Sequence, residues 1–125
     1  TIRYIIKTKS TERTIKMAKH GFGIMNTPPK SGERFDCYEP EKYNTISIDD
    51  DYIEPLLNDF ERVNCFCHGI DIKIEGLVYC GITLIPPQSF CNMIEITEKV
   101  PALSTLTKLL KKAQSENKFV IHYGL

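Results

Sequence analysis

Five cysteines, three histidines and a run of three aspartates are the side chains of this 125-residue sequence with reactive or metal-binding chemistry. Cys65, Cys67 and His68 stand closest together, and thiolate with imidazole is a zinc-type ligand set. Read on a strand, residues 65 and 67 share one face while 68 points to the other, and no second pair with zinc spacing follows. They read as packed strand residues, and no metal or other cofactor is expected. A nucleophilic cysteine needs a lowered thiol pKa, from a histidine or a helix amino terminus. Cys37, close to Arg34, is the one candidate, with His20 or His122 as distant partners. Asp49, Asp50 and Asp51 are the residue type a hard cation takes, but calcium-loop spacing is missing and consecutive side chains splay apart. Gly21-Phe22-Gly23 has Asn26 where a dinucleotide loop wants its third glycine, and Pro28-Pro29-Lys30-Ser31-Gly32 holds phosphate-loop residues in the wrong order. His20, at a helix end, and His122, beside Tyr123 in a final strand, each read as a lone histidine.

Charge is distributed more tellingly than any motif. The totals cancel, 16 basic against 16 acidic, so the whole molecule exerts no long-range pull on nucleic acid or an anionic membrane. Residues 1 to 30 nevertheless carry seven basic groups and one acidic, whereas residues 33 to 61 carry ten acidic groups against Arg34 and Lys42. Acids near a helix start cap it and complement its dipole, which accounts for Asp49, Asp50, Asp51 and Glu54 but not for all ten. An acidic surface with tyrosines interspersed also suits a basic protein partner: carboxylates steer the encounter and aromatic rings anchor it. On that reading the contact set is Glu39, Glu41, Tyr43, Asp49, Asp50, Asp51, Tyr52, Glu54 and Asp59, with Tyr38 interspersed.

These residues need a scaffold. At 42% apolar residues the chain can bury a core as one domain, residues 1–125, without staples. The five cysteines cannot all pair, their neighbours are strand-like, and no apolar run reaches membrane-helix length, so a reducing cytoplasmic location is expected. Residues 2 to 8 read as a strand, and a helix capped by Ser10 runs to a stop at Gly21. A long loop follows to Glu33, with a short strand at Phe22 to Met25, then an edge strand at Phe35 to Tyr38, a turn at Glu39 to Tyr43 and a strand at Thr45 to Ile48. A helix starting just before Pro55 carries Leu56, Leu57, Phe60 and Val63 inward. Phe66 to Ile74 alternate as one half-buried strand, turning at Glu75-Gly76 into a second arm, Leu77 to Ile85, which Pro86 and Pro87 end. Residues 88 to 97 read as helix or strand. Leu103, Leu106, Leu110 and Ala113 form the stripe of a last helix, and Phe119 to Tyr123 close the chain as a strand. The fold class is α+β: a mixed or antiparallel sheet of about five strands with three to four helices packed on it.

With Tyr43-Asn44-Thr45-Ile46-Ser47-Ile48-Asp49-Asp50-Asp51, Gly81-Ile82-Thr83-Leu84-Ile85-Pro86-Pro87 and the ending Phe119-Val120-Ile121-His122-Tyr123-Gly124, the chain resembles the small cytosolic immunity proteins of bacterial contact-dependent growth inhibition systems. The resemblance implies a non-enzymatic inhibitor whose partner is a cognate toxin domain, often a nuclease, whose active site it covers. It transfers no binding residues. A rigid set of carboxylates competes for the cations that hold phosphate in such a site. No direct contact with nucleic acid or membrane is expected. Two other classes are distinguishable: a small enzyme or ligand-binding domain with its site between Cys37 and the Gly21–Gly32 loop, and a nucleic-acid-binding module using Lys7, Lys9, Arg13, Lys16 and Lys19.

Overall fold

The computed structural model describes residues 18–125; the first strand and most of the first helix expected from the sequence lie outside them. Six strands, β1 (Lys19–Ile24), β2 (Ile46–Asp49), β3 (Asn64–Cys67), β4 (Lys73–Glu75), β5 (Ile82–Ile85) and β6 (Val120–Tyr123), form one sheet in the order β2-β1-β6-β5-β3-β4. Every neighbouring pair is antiparallel. Two single-turn helices, α1 (Asp50–Ile53) and α2 (Leu57–Phe60), follow β2, and α3 (Phe90–Thr97) and α4 (Ser104–Ser115) separate β5 from β6. The molecule is thus an α+β fold with an antiparallel sheet.

Alternate residues of the central strands divide between two apolar clusters, as the two-residue side-chain period of a strand requires. Phe22, Ile85 and Val120 join Ile53, Phe60, Met93, Leu103, Leu106, Leu110 and Ala113 beneath the helices. Leu84, Ile121 and Tyr123 meet Met25, Phe35, Tyr43 and Phe119 on the other face, where the long segment between β1 and β2 takes the place of a helical layer. The α4 stripe read from the sequence is buried as expected, and residues 90–97 are helix.

Four departures from the sequence reading follow from contacts between distant residues. His20 and Gly21 lie within β1, so Gly21 ends no helix and His20 is not at a helix terminus. Gly23, two residues on, is there for close approach: a Cβ on it would stand 2.6 Å from the Tyr43 carbonyl oxygen, where the covering segment lies on the sheet. Phe35 to Tyr38 form no strand; Phe35 N–H donates instead to the His68 carbonyl at 2.9 Å. The alternation from Phe66 to Ile74 is broken by His68 (φ 57°) and Gly69 (φ 152°), which fold it into the β3–β4 hairpin. Gly69 is needed there on two counts, its positive φ and the Glu33 carbonyl oxygen 2.6 Å from where a Cβ would lie. The arm at Ile82–Ile85 pairs with β3 and β6, not with the strand before it, and residues 77–81 are a loop.

That loop is fastened to the end of β6: Gly124 N–H donates to the Gly81 carbonyl at 2.7 Å and Leu125 N–H to the Tyr79 carbonyl at 2.9 Å. A Cβ on Gly124 would run into backbone atoms of Val78 and Tyr79, which cannot yield as a side chain would. Gly124→Ala is expected to destabilise the fold by about 1–3 kcal/mol, the usual range for overpacking; equilibrium urea denaturation checks this.

Candidate functional site

Polar side chains rarely enter the core of a small domain unless every donor and acceptor finds a partner. Here four do so together beneath the helices: His20, Asp50, Thr83 and His122 are each fully buried. Strand register produces the grouping. Thr83 lies opposite His122 on the β5–β6 ladder, Phe22 lies opposite His122 on β1–β6, and His20 is two residues back on the same face of β1 as Phe22. Asp50 enters from α1, held by its own N–H to the Ala18 carbonyl at 3.0 Å.

The contacts form a continuous chain. Thr83 Oγ1 is 3.0 Å from His122 Nδ1, His122 Nε2 is 2.9 Å from His20 Nδ1, and His20 Nε2 is 2.8 Å from Asp50 Oδ1. Tyr79 Oη donates to Asp50 Oδ2 at 2.7 Å, and Val78 N–H donates to Thr83 Oγ1 at 2.8 Å. One proton arrangement satisfies all of them: Val78 N–H to Thr83, Thr83 O–H to His122 Nδ1, His122 Nε2–H to His20 Nδ1, and His20 Nε2–H to Asp50, which also accepts from Tyr79. Both imidazoles are then neutral, each with its proton on Nε2. Burial depresses both: it lowers the His20 pKa against the opposing pull of Asp50, and it drives His122 well below the ordinary value, with His20 beside it adding to the fall. Since Val78 and Tyr79 are adjacent, the chain of bonds leaves the loop and returns to it, closing a ring through four buried side chains.

An aspartate, two histidines and a threonine in line have the composition of a nucleophile–base–acid relay. Geometry gives them another role. The hydroxyl is enclosed, and every imidazole nitrogen is engaged inside the ring. What the arrangement does is hold residues 78 and 79 against the sheet and fix one register for β1, β5 and β6, as a fully satisfied buried network can.

The residues singled out from the sequence fall in several places. Asp50 is corrected outright: it is a core residue of the ring, with nothing to offer a partner's surface. Asp49 is half-buried and caps α1, accepting from Asp51 N–H at 2.9 Å. Glu39 and Glu41 are exposed around the 3-10 turn Pro40–Tyr43, where Lys42 lies 4.0 Å from Glu39. Tyr43 is half-buried in the cluster on the loop-covered face. Asp51 and Asp59 are exposed and Glu54 is half-buried. Tyr52 is 46% exposed and Tyr38 is 72% exposed, the latter edge-on to Tyr123 with ring centroids 5.1 Å apart. The contact set therefore divides between the two ends of β2, an edge strand among the described residues: Glu39, Glu41 and Tyr43 before it, Asp51, Tyr52, Glu54 and Asp59 after it.

The cysteine readings also take definite form. Cys37 is exposed and His20 and His122 are enclosed, so they do not meet. The cleft lined by the residues flanking Cys37, about 210 Å³, contains Asp36, Tyr38, His68 and Cys80. His68 Nδ1 lies 2.9 Å from Asp36 Oδ1, in the manner of an oriented base, but its Nε2 already accepts the Ile82 N–H at 3.3 Å. Cys65 is buried and its thiol is pushed up to about 12, against the thiolate form. Among the described residues no three metal-type side chains converge, and no helix is long and apolar enough to cross a membrane. Lys19 is exposed at the start of β1, and the other four basic residues of the nucleic-acid reading lie outside the described residues. Comparison with protein-family models, with curated proteins and with solved structures finds no match for this chain.

Two consequences of the ring are measurable. Thr83→Val keeps the shape but strands the Val78 N–H and His122 Nδ1 in the core, and is expected to cost about 1–3 kcal/mol per unpaired group, read as a lowered urea midpoint. A histidine whose folded pKa is depressed binds its proton more readily unfolded, so stability is full above the ordinary imidazole pKa of about 6.5 and declines as pH falls below it. The steepest decline expected is about 1.4 kcal/mol per pH unit for each imidazole. Urea midpoints taken from pH 8 to pH 4.5 check it, and a flat profile would show that the imidazoles are not the groups that titrate.

Proposed function

We propose that this protein is a cytoplasmic immunity-type inhibitor that binds a cationic toxin domain, a nuclease in the reading its carboxylates favour, through the segment around β2. The observation that carries the reading is the pairing of exposed aromatic rings with carboxylates there. Of the four large apolar side chains left exposed among the described residues, Tyr38 and Tyr52 belong to the acidic stretch 33–61, Tyr38 lying against Tyr123 of β6 and Tyr52 on α1 just after β2. Tyrosine beside carboxylate is the composition of a surface that steers a basic partner and then anchors it by desolvating a ring. The carboxylates flank a strand roughly 10 Å long, a span within a standard interface of about 800 Å² per partner. Support also comes from the ring beneath the helices, which keeps its acid, bases and hydroxyl away from solvent and so uses them for rigidity, and a rigid scaffold suits an inhibitor that must meet its target preformed.

With Asp50 in the core, the face consists of Glu39, Glu41, Asp51, Tyr52 and Tyr38, with Asp59 at its margin. The test is co-expression with whatever protein the neighbouring gene encodes, followed by association kinetics over a range of ionic strengths. Glu39→Gln, Glu41→Gln and Asp51→Asn together are expected to slow association about ten-fold at low salt and to flatten its salt dependence. Tyr52→Ala is expected to act on dissociation instead. Association that is unchanged in the triple variant would remove the proposed face.

A further inference from the structure

A groove of about 380 Å³ opens between one stripe of α4 and the sheet where β1 ends and β2 begins. Three half-buried apolar side chains line its floor, Ile24 and Ile46 from the strands and Leu109 from the helix, with Asn26, Tyr43 and Asn44 at its side. Its helical wall places Thr105, Lys108 and Lys112 beside Leu109, positions three, four and seven apart that share one face of an α-helix. Neither Lys108 nor Lys112 has an ion pair among the described residues. The one carboxylate on the wall, Glu116, is 3.1 Å from Lys118 Nζ and so is already matched. Two unmatched ammonium groups therefore border an apolar floor, in a volume within the range of about 300–1,000 Å³ usual for small-molecule sites.

We propose that this groove binds a small amphiphilic anion, its carboxylate between Lys108 and Lys112 and its apolar body on Ile24, Ile46 and Leu109. Charge decides against a cation, and the half-buried floor decides against a fully hydrated inorganic ion, which would gain nothing from displacing water there. A lysine pair on successive turns of one helix face suits a single carboxylate, because two flexible ammonium heads four residues apart can reach the same group. The site is separate from the β2 face proposed above and stands or falls without it.

The probe is octanoate, with octanol and octyltrimethylammonium as controls of matched chain length, titrated into the full chain while methyl resonances of Ile24, Ile46 and Leu109 are followed by NMR. Octanoate is expected to shift these three methyls in a saturable manner and to bind more tightly than either control. Lys108→Gln with Lys112→Gln, two exposed positions whose exchange leaves the core untouched, is expected to weaken octanoate about five-fold, as for two partly exposed ion pairs, and to leave octanol unaffected. Equal affinity for the anion and the cation, an unchanged affinity in the double variant, shifts confined to other methyls, or no shift up to the solubility limit would each overturn the proposal.

Discussion

The contact on which this fold turns is the 2.9 Å bond between two imidazoles, His122 on β6 and His20 on β1. A nitrogen–nitrogen hydrogen bond holds one proton, and with Asp50 accepting from His20 Nε2–H each ring is committed to a single tautomer. The commitment passes outward in both directions, to Thr83 and the Val78 amide on one side and to Asp50 and Tyr79 on the other. Each link is short-range, yet together they join three strands, the amino terminus of α1 and the 77–81 loop fastened to the end of β6. An apolar core of the same volume would hold the sheet to the helices as firmly. It would not distinguish one register of β5 against β6 from a neighbouring one, whereas a slip here would take Thr83 away from His122 and leave several buried polar atoms unpaired.

Seen from this contact, the two covers of the sheet differ in kind. Helices α3 and α4 seal one face with continuous apolar packing. The other face is sealed by a chain segment that lies flat because Gly23 presents no Cβ to it, and that is tied at its middle to the β3–β4 turn: Ser31 Oγ and the Gly32 N–H donate to the two Asp71 oxygens at 2.6 Å each, and Phe35 bonds to His68. Its apolar contribution is a few rings, Phe35 and Tyr43 among them, while its polar residues, Tyr38 and the flanking carboxylates, face outward. A segment of this sort can vary in its outward residues without disturbing what it covers.

How much of this was readable in the residues themselves depended on whether the deciding partner was near in sequence. The α4 stripe of Leu103, Leu106, Leu110 and Ala113, the stop at Pro86-Pro87 and the closing strand through Tyr123 were legible, since period and breaker act locally. The break at His68-Gly69 was masked because Phe66, His68, Ile70, Ile72 and Ile74 alternate just as a continuous strand would, and Gly69 answers to Glu33, a residue 36 positions away. Gly21 and Gly23 looked like punctuation for the same reason: the chain that presses on Gly23 arrives 20 residues later. Asp50 was grouped with its neighbours by charge, although its partner, His20, is 30 positions earlier. Each buried histidine reads in the sequence as a lone side chain. Nothing in one sequence says that the strand bearing one will lie beside the strand bearing the other.

The sheet order has a bearing on how the protein comes into being. Strand β6 lies between β1 and β5, so neither half of the sheet can be joined to the other until residues 120–123 have been made. As the chain leaves the ribosome, β1 with β2 and β5 with β3 and β4 must wait as separate hairpin-like pieces, each with an unpaired inner edge and a face of bare Phe22, Leu84 or Ile85. Exposed strand edges of that kind invite pairing with other chains. A nascent protein of this topology depends for its safety on β6 following quickly, or on being sheltered until that strand slides into the gap.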